Sequence, residues 1–412
     1  MSALHSRLKA SLLLLVAVSG TCLAQEPNDN NASANNRVSL KTDLLDGAYL
    51  PGLQSIVVTG HHGVVGQLKV SGNTAKLELL AEHPDEDFTC LDAISDSLVL
   101  IGSATGKIYS YDGKIMTELA ALSEFNEPVL DIAHEGTNIW VVGARGLLAH
   151  SSDGKTFEAV EAKDVTQPLA TFPAGKPADY YIGVSNIIAD TVQFIATIDG
   201  KPAVADTHYT LYPDEGFLQV SKQLDENPAP SVSFKFNPGP PFRVGDVSWN
   251  VVLVSNGKVT IGGEFGMVLQ SEDNGATWIR RDTRIVPHEP EPAYWLAGVS
   301  QGDQIWLAGA AGISEVSHDG GVTWSDNPAP GREGIFGVAL LPDNKPLIAG
   351  AVGLIGVLDG AQWKLADRTQ LHLLSWLKTP VAMPDGSFLV LGGRATAIRY
   401  KDGNWTRVTV EL

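Results

Sequence analysis

The chain has 412 residues, with 29 Lys and Arg against 47 Asp and Glu, and a formal charge of −18. This acidic balance argues against nucleic acid as a partner, because phosphate binding needs clustered cations; at 44% hydrophobic, the chain is not disordered over most of its length. With 42 Gly, 23 Pro and only 18% charged residues, it has the composition of short strands joined by tight turns.

Residues 1–24 carry a positive start (Arg7, Lys9), an apolar run with four consecutive leucines, and the small-residue stretch Cys22-Leu23-Ala24. This pattern predicts a secretory signal peptide, with an apolar run too short to span a membrane. Ser19-Gly20-Thr21 is a poor lipobox, so Cys22 is not expected to carry a lipid. Cleavage would bring the charge to −20 and leave Cys90 as the one cysteine, which excludes an intrachain disulfide. Its apolar context, Phe88-Thr89-Cys90-Leu91, predicts a buried thiol. Residues 25–37 are Asn-rich and read as a flexible lead, with 38–412 as a single domain. The sequons at Asn31 and Asn404 read as chance matches.

Seven segments of that domain share a strand ending in Gly, a short turn, a second strand and a polar turn. Their marker glycines are Gly60, Gly102, Gly143, Gly263, Gly309, Gly350 and Gly393, spaced 42, 41, 120, 46, 41 and 43 residues apart. A period near this length, with several strands per unit, predicts an all-β propeller of four-stranded blades. Seven blades are expected, with eight as the alternative. Upstream of the markers, Phe88, Val129, Trp249, Trp295 and Phe336 each open an apolar run that reads as the innermost strand. All nine tryptophans fall at repeat positions and are expected to pack between blades. The interval of 120 residues holds an irregular segment, 160–240, read either as a degenerate blade or as an excursion from a neighbour. Its Pro-rich stretch, residues 226–242, is not expected to be a central strand, since Pro lacks the ladder donor. The strand region near 38–58 is expected to complete the blade that contains 388–412.

Ser271-Glu272-Asp273-Asn274-Gly275-Ala276-Thr277-Trp278 and Ser317-His318-Asp319-Gly320-Gly321-Val322-Thr323-Trp324 match the Asp-box, and residues 151–157 are a shorter version. The Asp carboxylate accepts backbone N–H groups across the turn, Gly takes the positive φ, and Trp wedges between sheets. Ser271, Asp273, Gly275, Thr277, Trp278, Ser317, Asp319, Gly321, Thr323 and Trp324 are therefore assigned structural roles. With the G-x-x-G-x-x-x-x-S pattern before these boxes, the chain resembles the photosynthesis system II assembly and stability factor family and its bacterial relatives. The resemblance implies a lumenal or periplasmic propeller that binds membrane-protein partners without catalysis. For relatives outside photosynthetic bacteria it points to RND-type exporters. The irregular segment 160–240 departs from the family, which puts a shared partner in doubt.

Asp-boxes also occur in sialidases, so the alternative is a secreted glycoside hydrolase or a carbohydrate-binding propeller. A sialidase needs three convergent arginines, a Tyr–Glu nucleophile pair and an Asp acid, and the N-terminal part lacks the Arg-Ile-Pro-like signature of the first arginine. No nucleophile elbow or phosphate loop is present. His61 and His62, and His288 with Glu289 and Glu291, read as polar turns, as does the charge run Asp85-Glu86-Asp87, so no metal and no cofactor is expected. Strand alternation places the turns after second strands and the links after fourth strands on one face. That face is expected to gather His61, His62, Glu264 and Phe265 with Arg145, Arg281, Arg284, Arg332, Arg368 and Arg394, which are six of the eleven arginines after residue 24. Such a patch suits carboxylates, phosphates or an acidic protein surface.

Overall fold

The computed structural model describes residues 43–81, 85–238, 247–281, 286–287 and 293–411. The segments expected to be a signal peptide and a flexible lead, with Arg284, His288, Glu289 and Glu291, lie outside the described residues. The architecture is a β-propeller built from four-stranded antiparallel meanders. Their first strands are Leu44–Leu50, Phe88–Ser95, Val129–Glu135, Trp249–Ser255, Trp295–Gln301, Ile335–Leu340 and Leu377–Ala382. Each packs against the next, and Leu377–Ala382 returns to Leu44–Leu50, so the seven strands close a ring. We number the blades one to seven in that order.

Central strands buried on both faces, between neighbouring blades, explain the ring. In blade four, second strand Lys258–Gly263 is buried over Val259–Gly263, and third strand Val268–Ser271 is buried throughout. The fourth strands of blades three and five are short and exposed, Glu158–Ala159 and Ser325–Asp326, whereas those of blades one and seven run to eight residues. The first strand is kinked near its start in all seven blades, between Leu44 and Asp46 in blade one and between Trp295 and Ala297 in blade five, for example. Such bulges increase local twist, which a closed ring of twisted sheets needs.

Side chains just past the bulge tie successive blades. Asp46 Oδ2 accepts the Leu91 N–H of blade two at 2.9 Å, and Asp131 Oδ2 accepts the Val252 N–H of blade four at 2.9 Å. Thr89 Oγ1 donates to the Val129 carbonyl at 2.6 Å, Asn250 Nδ2 to the Trp295 carbonyl at 2.8 Å, and Thr379 Oγ1 to the Leu45 carbonyl at 3.1 Å. Cys90 is a free, buried thiol, as expected, and burial pushes its pKa well up.

Three expectations need correction. Closure is not by a shared blade: 44–60 forms the two inner strands of blade one, and blade seven is complete in itself. The termini meet instead at their outer strands, where Asn404–Glu411 pairs in parallel with Thr74–Ala81 (Thr409 opposite Thr74). The marker position in blade seven is Gly392 rather than Gly393, since Gly392 pairs with Leu377; in blade two Ser103 takes it, opposite Phe88. Last, Ser231–Phe236 is a central strand, between Val165–Thr171 and Ile187–Ile195. Pro228 and Pro230 precede it, so no ladder donor is lost inside the strand.

The irregular segment is an excursion, not a blade. Val165–Thr171 joins the outer strand of blade four in parallel (Thr166 opposite Ile279), which extends that sheet to seven strands. A second sheet holding Ala178–Tyr181, Tyr209–Tyr212 and Phe217–Val220 shares its apolar core, which includes Phe172, Tyr180, Phe234 and Phe236. The joint is Arg280, buried in the outer strand of blade four. Its Nη1 donates to Gln167 Oε1 at 3.1 Å and to the Ile182 carbonyl at 2.8 Å.

The marker glycines are required by close approach, not by φ. A Cβ on Gly309 would stand 1.9 Å from the Tyr294 carbonyl oxygen, and one on Gly143 would stand 2.3 Å from that of Pro128. Gly309→Ala is therefore expected to destabilise the fold by about 2 kcal/mol or more, the range of an overpacked core. Gly302→Ala, where a Cβ meets nothing within 4 Å, should cost only the strain of its positive φ. Thermal and urea unfolding of the two variants compare these costs, and equal midpoints would remove the close-approach explanation.

Candidate functional site

The face that gathers the marker turns is assembled by one repeated backbone contact. Among the described residues, in six of the seven blades the N–H that opens the marker turn donates to the carbonyl of the preceding link. The pairs are Ala104 to Asp87, Ala144 to Pro128, Glu264 to Ser248, Ala310 to Tyr294, Ala351 to Gly334 and Gly393 to Trp376, at 2.8–3.1 Å. Turns and links thus share one end of the ring.

The turns themselves are two-residue hairpins with positive φ at both central positions. These pairs are His62-Gly63, Arg145-Gly146, Phe265-Gly266, Ala311-Gly312, Val352-Gly353 and Arg394-Ala395. Such turns favour Asn, Asp or Gly first, since other side chains crowd the backbone there. Here the first position carries Arg, His, Phe and Val. Phe265 has φ 60° and Val352 φ 52°. Each costs on the order of 1–2 kcal/mol, and a β-branched residue is the rarest occupant of this region. The outcome is a ring of side chains held outward around the mouth of the propeller. In blade two the turn differs, and Thr105 Oγ1 folds back to donate to Glu86 Oε2 at 2.6 Å.

The arginines divide. Arg145 stands at a turn tip, with Nη1 3.6 Å from Glu127 Oε1 in the adjoining link. Arg368 donates through both Nη atoms to Glu333 Oε1 at 3.0 Å, joining two successive links. Arg394 is exposed at its tip, and its backbone N–H donates to Asp43 Oδ1 at 2.8 Å. Arg332 is exposed in the link before blade six. Arg281 departs from the expectation. Its guanidinium turns along the blade, with Nε donating to Gln270 Oε1 at 2.9 Å and Nη2 3.6 Å from Glu272 Oε1 in the Asp-box turn at the other end. A neighbouring carboxylate and amide outcompete solvent for it. Acidic residues are interleaved throughout: Asp43, Asp87, Glu127 and Glu333 sit in the same links. His61 Nδ1 is 3.2 Å from Asp87 Oδ2, and the His62 N–H donates to Asp87 Oδ1. The face is mixed in sign rather than a cationic patch.

Sequence reasoning named Phe265 but missed three exposed apolar side chains on this face: Val352 at its turn tip, Phe125 in the link before blade three and Leu374 in the link before blade seven. The triplet Ala351-Val352-Gly353 carried a signal, since Gly in the second central place marks the tight turn. Phe125 and Leu374 carried none.

The Asp-boxes form the opposite end. Asp273 Oδ1 accepts the Thr277 N–H at 2.8 Å, and Ser271 Oγ accepts that of Gly275 at 2.8 Å. Asp319 Oδ1 accepts the Thr323 N–H at 2.9 Å, Asp319 Oδ2 accepts its hydroxyl at 2.6 Å, and Ser317 Oγ accepts the Gly321 N–H at 2.8 Å. Trp278 is buried with its ring edge-on to Trp140 of blade three, and Trp324 Nε1 donates to the Gly321 carbonyl at 3.1 Å. Gln270 of blade four donates to the Gly320 carbonyl at 2.8 Å, so the turn also staples its neighbour. Burial of Asp319 raises its pKa, but the Thr323, Ser317 and Val322 bonds together outweigh it and hold the carboxyl down at about 2.

Nearer the axis, the charges of Asp46 in blade one and Lys378 in blade seven act on Asp131 of blade three. Lys378 Nζ reaches the Thr89 carbonyl at 3.1 Å. Burial, reinforced by the Asp46 charge, pushes Asp131 up to about 7 despite the Val252 N–H and Lys378. Among the described residues no group of His, Cys, Asp and Glu is arranged to hold a metal. No helix among them is long and apolar enough to cross a membrane.

No protein-family model matches the chain, and no curated protein matches it. Solved structures do. YCF48 from Cyanidioschyzon merolae is 12% identical, with 89% of this chain and 97% of that one covered and a TM-score of 0.52. The WD40 propeller domain of Doa1 is 10% identical, with 88% and 93% covered and a TM-score of 0.52. YCF48 bound to a D1 peptide gives 11% identity, 78% and 80% coverage and a TM-score of 0.47. At these identities the likeness shows the fold, a β-propeller.

Two outcomes are expected of these carboxylates. Asp319→Ala should cost about 1 kcal/mol at neutral pH, for the N–H groups it leaves unpaired. Because the folded pKa lies below the unfolded one, the difference from the parent should shrink as pH falls from 4 towards 2. Asp131 has the opposite sign: its folded pKa is raised, so the folded state loses stability as pH rises from 4 through 7. Denaturant unfolding from pH 5 to 8 should show that loss, and Asp131→Asn should flatten it. An unchanged slope would show that Asp131 is already ionised at pH 5.

Proposed function

We propose that the chain is a non-enzymatic, periplasmic propeller that serves as a scaffold or accessory factor in assembling or operating a membrane protein complex, such as an RND-type exporter. The observation that carries this reading is the ring of side chains held outward in strained backbone at the marker-turn end. Strain of this kind persists where a rigid surround enforces it, and it concentrates at contact sites. The family resemblance of the repeats and the propeller likeness to YCF48 support a protein-binding role, and the leader at 1–24 supports export. The arginines suit ion pairing with a partner rather than catalysis: Arg145 and Arg368 are turned to Glu127 and Glu333 and do not converge on a common point. Arg145, Arg332, Arg368 and Arg394 are the proposed partner contacts. For an acidic protein, such local cations set which surface approaches an acidic partner.

Charge reversal tests this. Arg145→Glu with Arg394→Glu should lower affinity capture of membrane proteins from detergent-solubilised envelopes by tenfold or more. Lys114→Glu with Lys155→Glu, exposed positions in the turns of the opposite end, should leave capture unchanged. Equal capture by both reversals, in variants with parental unfolding temperatures, would refute the docking face.

A further inference from the structure

Four apolar side chains project from the marker-turn end: Phe125 is 78% exposed, Phe265 46%, Val352 65% and Leu374 89%. They sit on four different loops, at the link into blade three, the turn of blade four, the turn of blade six and the link into blade seven. A Cβ on Gly353 would stand 2.6 Å from Leu373 Cβ, so the Val352 turn and the Leu374 link are direct neighbours. Phe265 keeps only a partial shield, a tilted contact with Tyr294 at 5.8 Å between ring centroids. Two of the four, Phe265 and Val352, pay twice: the backbone is strained to hold them, and the side chain is left in water.

From this arrangement we infer that the marker-turn end docks on a lipid surface, with these four side chains entering the interfacial layer. Tips spread around the rim of a ring can be engaged together only by something flat and broader than the ring. A peptide or a single loop would reach one sector. The exposed residues Arg332 and Arg394 fall between the apolar tips in the order of the blades, and cations so placed pair with headgroup phosphates when apolar neighbours insert. The chain's charge of −18, and the carboxylates of Asp43, Asp87, Glu127 and Glu333 on this face, oppose adsorption to an anionic surface. Apolar insertion must then carry the binding, and zwitterionic lipid suffices. The inference shares with the proposed function only the choice of face, because it needs no protein partner.

Cosedimentation with vesicles of phosphatidylcholine, alone and mixed with phosphatidylglycerol, tests it on the purified chain. The parent should be retained by both. Phe125→Ser with Leu374→Ser should lower the partition coefficient by about tenfold or more. Val352→Gly should lower it while leaving the unfolding temperature unchanged or raised, since Gly relieves the strain. Ala311→Gly, at the same turn position with a small side chain, should relieve strain without loss of partition. Failure of the parent to sediment with either vesicle overturns the inference. So does retention insensitive to the tip substitutions, or retention only with phosphatidylglycerol. If the tip variants lose capture of membrane proteins while the parent ignores bare vesicles, the lipid surface is wrong and the protein-docking function stands.

Discussion

The bond from the marker turn to the link before its own blade, made in six of the seven blades, governs the rest of the molecule. Where the residue at the end of the second strand has no Cβ, the link carbonyl lies almost on the strand. One glycine therefore fixes where the fourth strand of one blade delivers the chain to the first strand of the next. The same contact fixes the turn's height, and with it the ring of outward side chains. Where glycine is replaced by Ser103, the turn changes type and its tip, Thr105, is spent on Glu86.

The two ends of each blade are held by different chemistry. At the turn end, backbone donates to backbone, from the marker turn to the link. At the Asp-box end the side chains do the holding, with Asp319 and Ser317 satisfying donors inside a tight turn and Gln270 fastening one turn to the next blade. The axis is held by a third device, polar side chains just past the first-strand bulge. These reach across the seams from blade seven through blade five. The seam between blades six and seven depends on close packing instead: a Cβ on Gly337 would meet the Lys378 carbonyl at 1.5 Å.

The propeller was legible because period, marker glycine and apolar runs all report one local unit, repeated. The shared face was legible for the same reason, since alternation of strand direction is a counting argument. What sequence could not supply was direction within that face. Arg281 and Arg332 occupy equivalent links, yet one lies down on Gln270 and Glu272 while the other stays in solvent, and the difference depends on a partner eleven residues away in another strand. Closure failed as a reading because it was borrowed from propellers in general. This chain has enough residues for a whole last blade, so its ends pair strand edge to strand edge. Within the segment 160–240, the strand Ser231–Phe236 was missed because prolines lie on both sides of it, Pro230 before and Pro238 after, although none lies inside it.

Rigidity and strain belong together here. A left-handed Val or Phe would relax in a mobile loop, but these turns are anchored at one end by a ladder and at the other by the link carbonyl. The ring then resists local relaxation, because moving one turn displaces the first strand it bonds to and the two blades packed on that strand. Strain that cannot relax locally is carried by the whole ring, which is stable enough to hold six such turns. A Phe or Val held outward in left-handed backbone costs stability in two ways and contributes to no core; Val322 in an Asp-box turn is exposed without that backbone strain, so the strained pair Phe265 and Val352 marks the end that meets a partner.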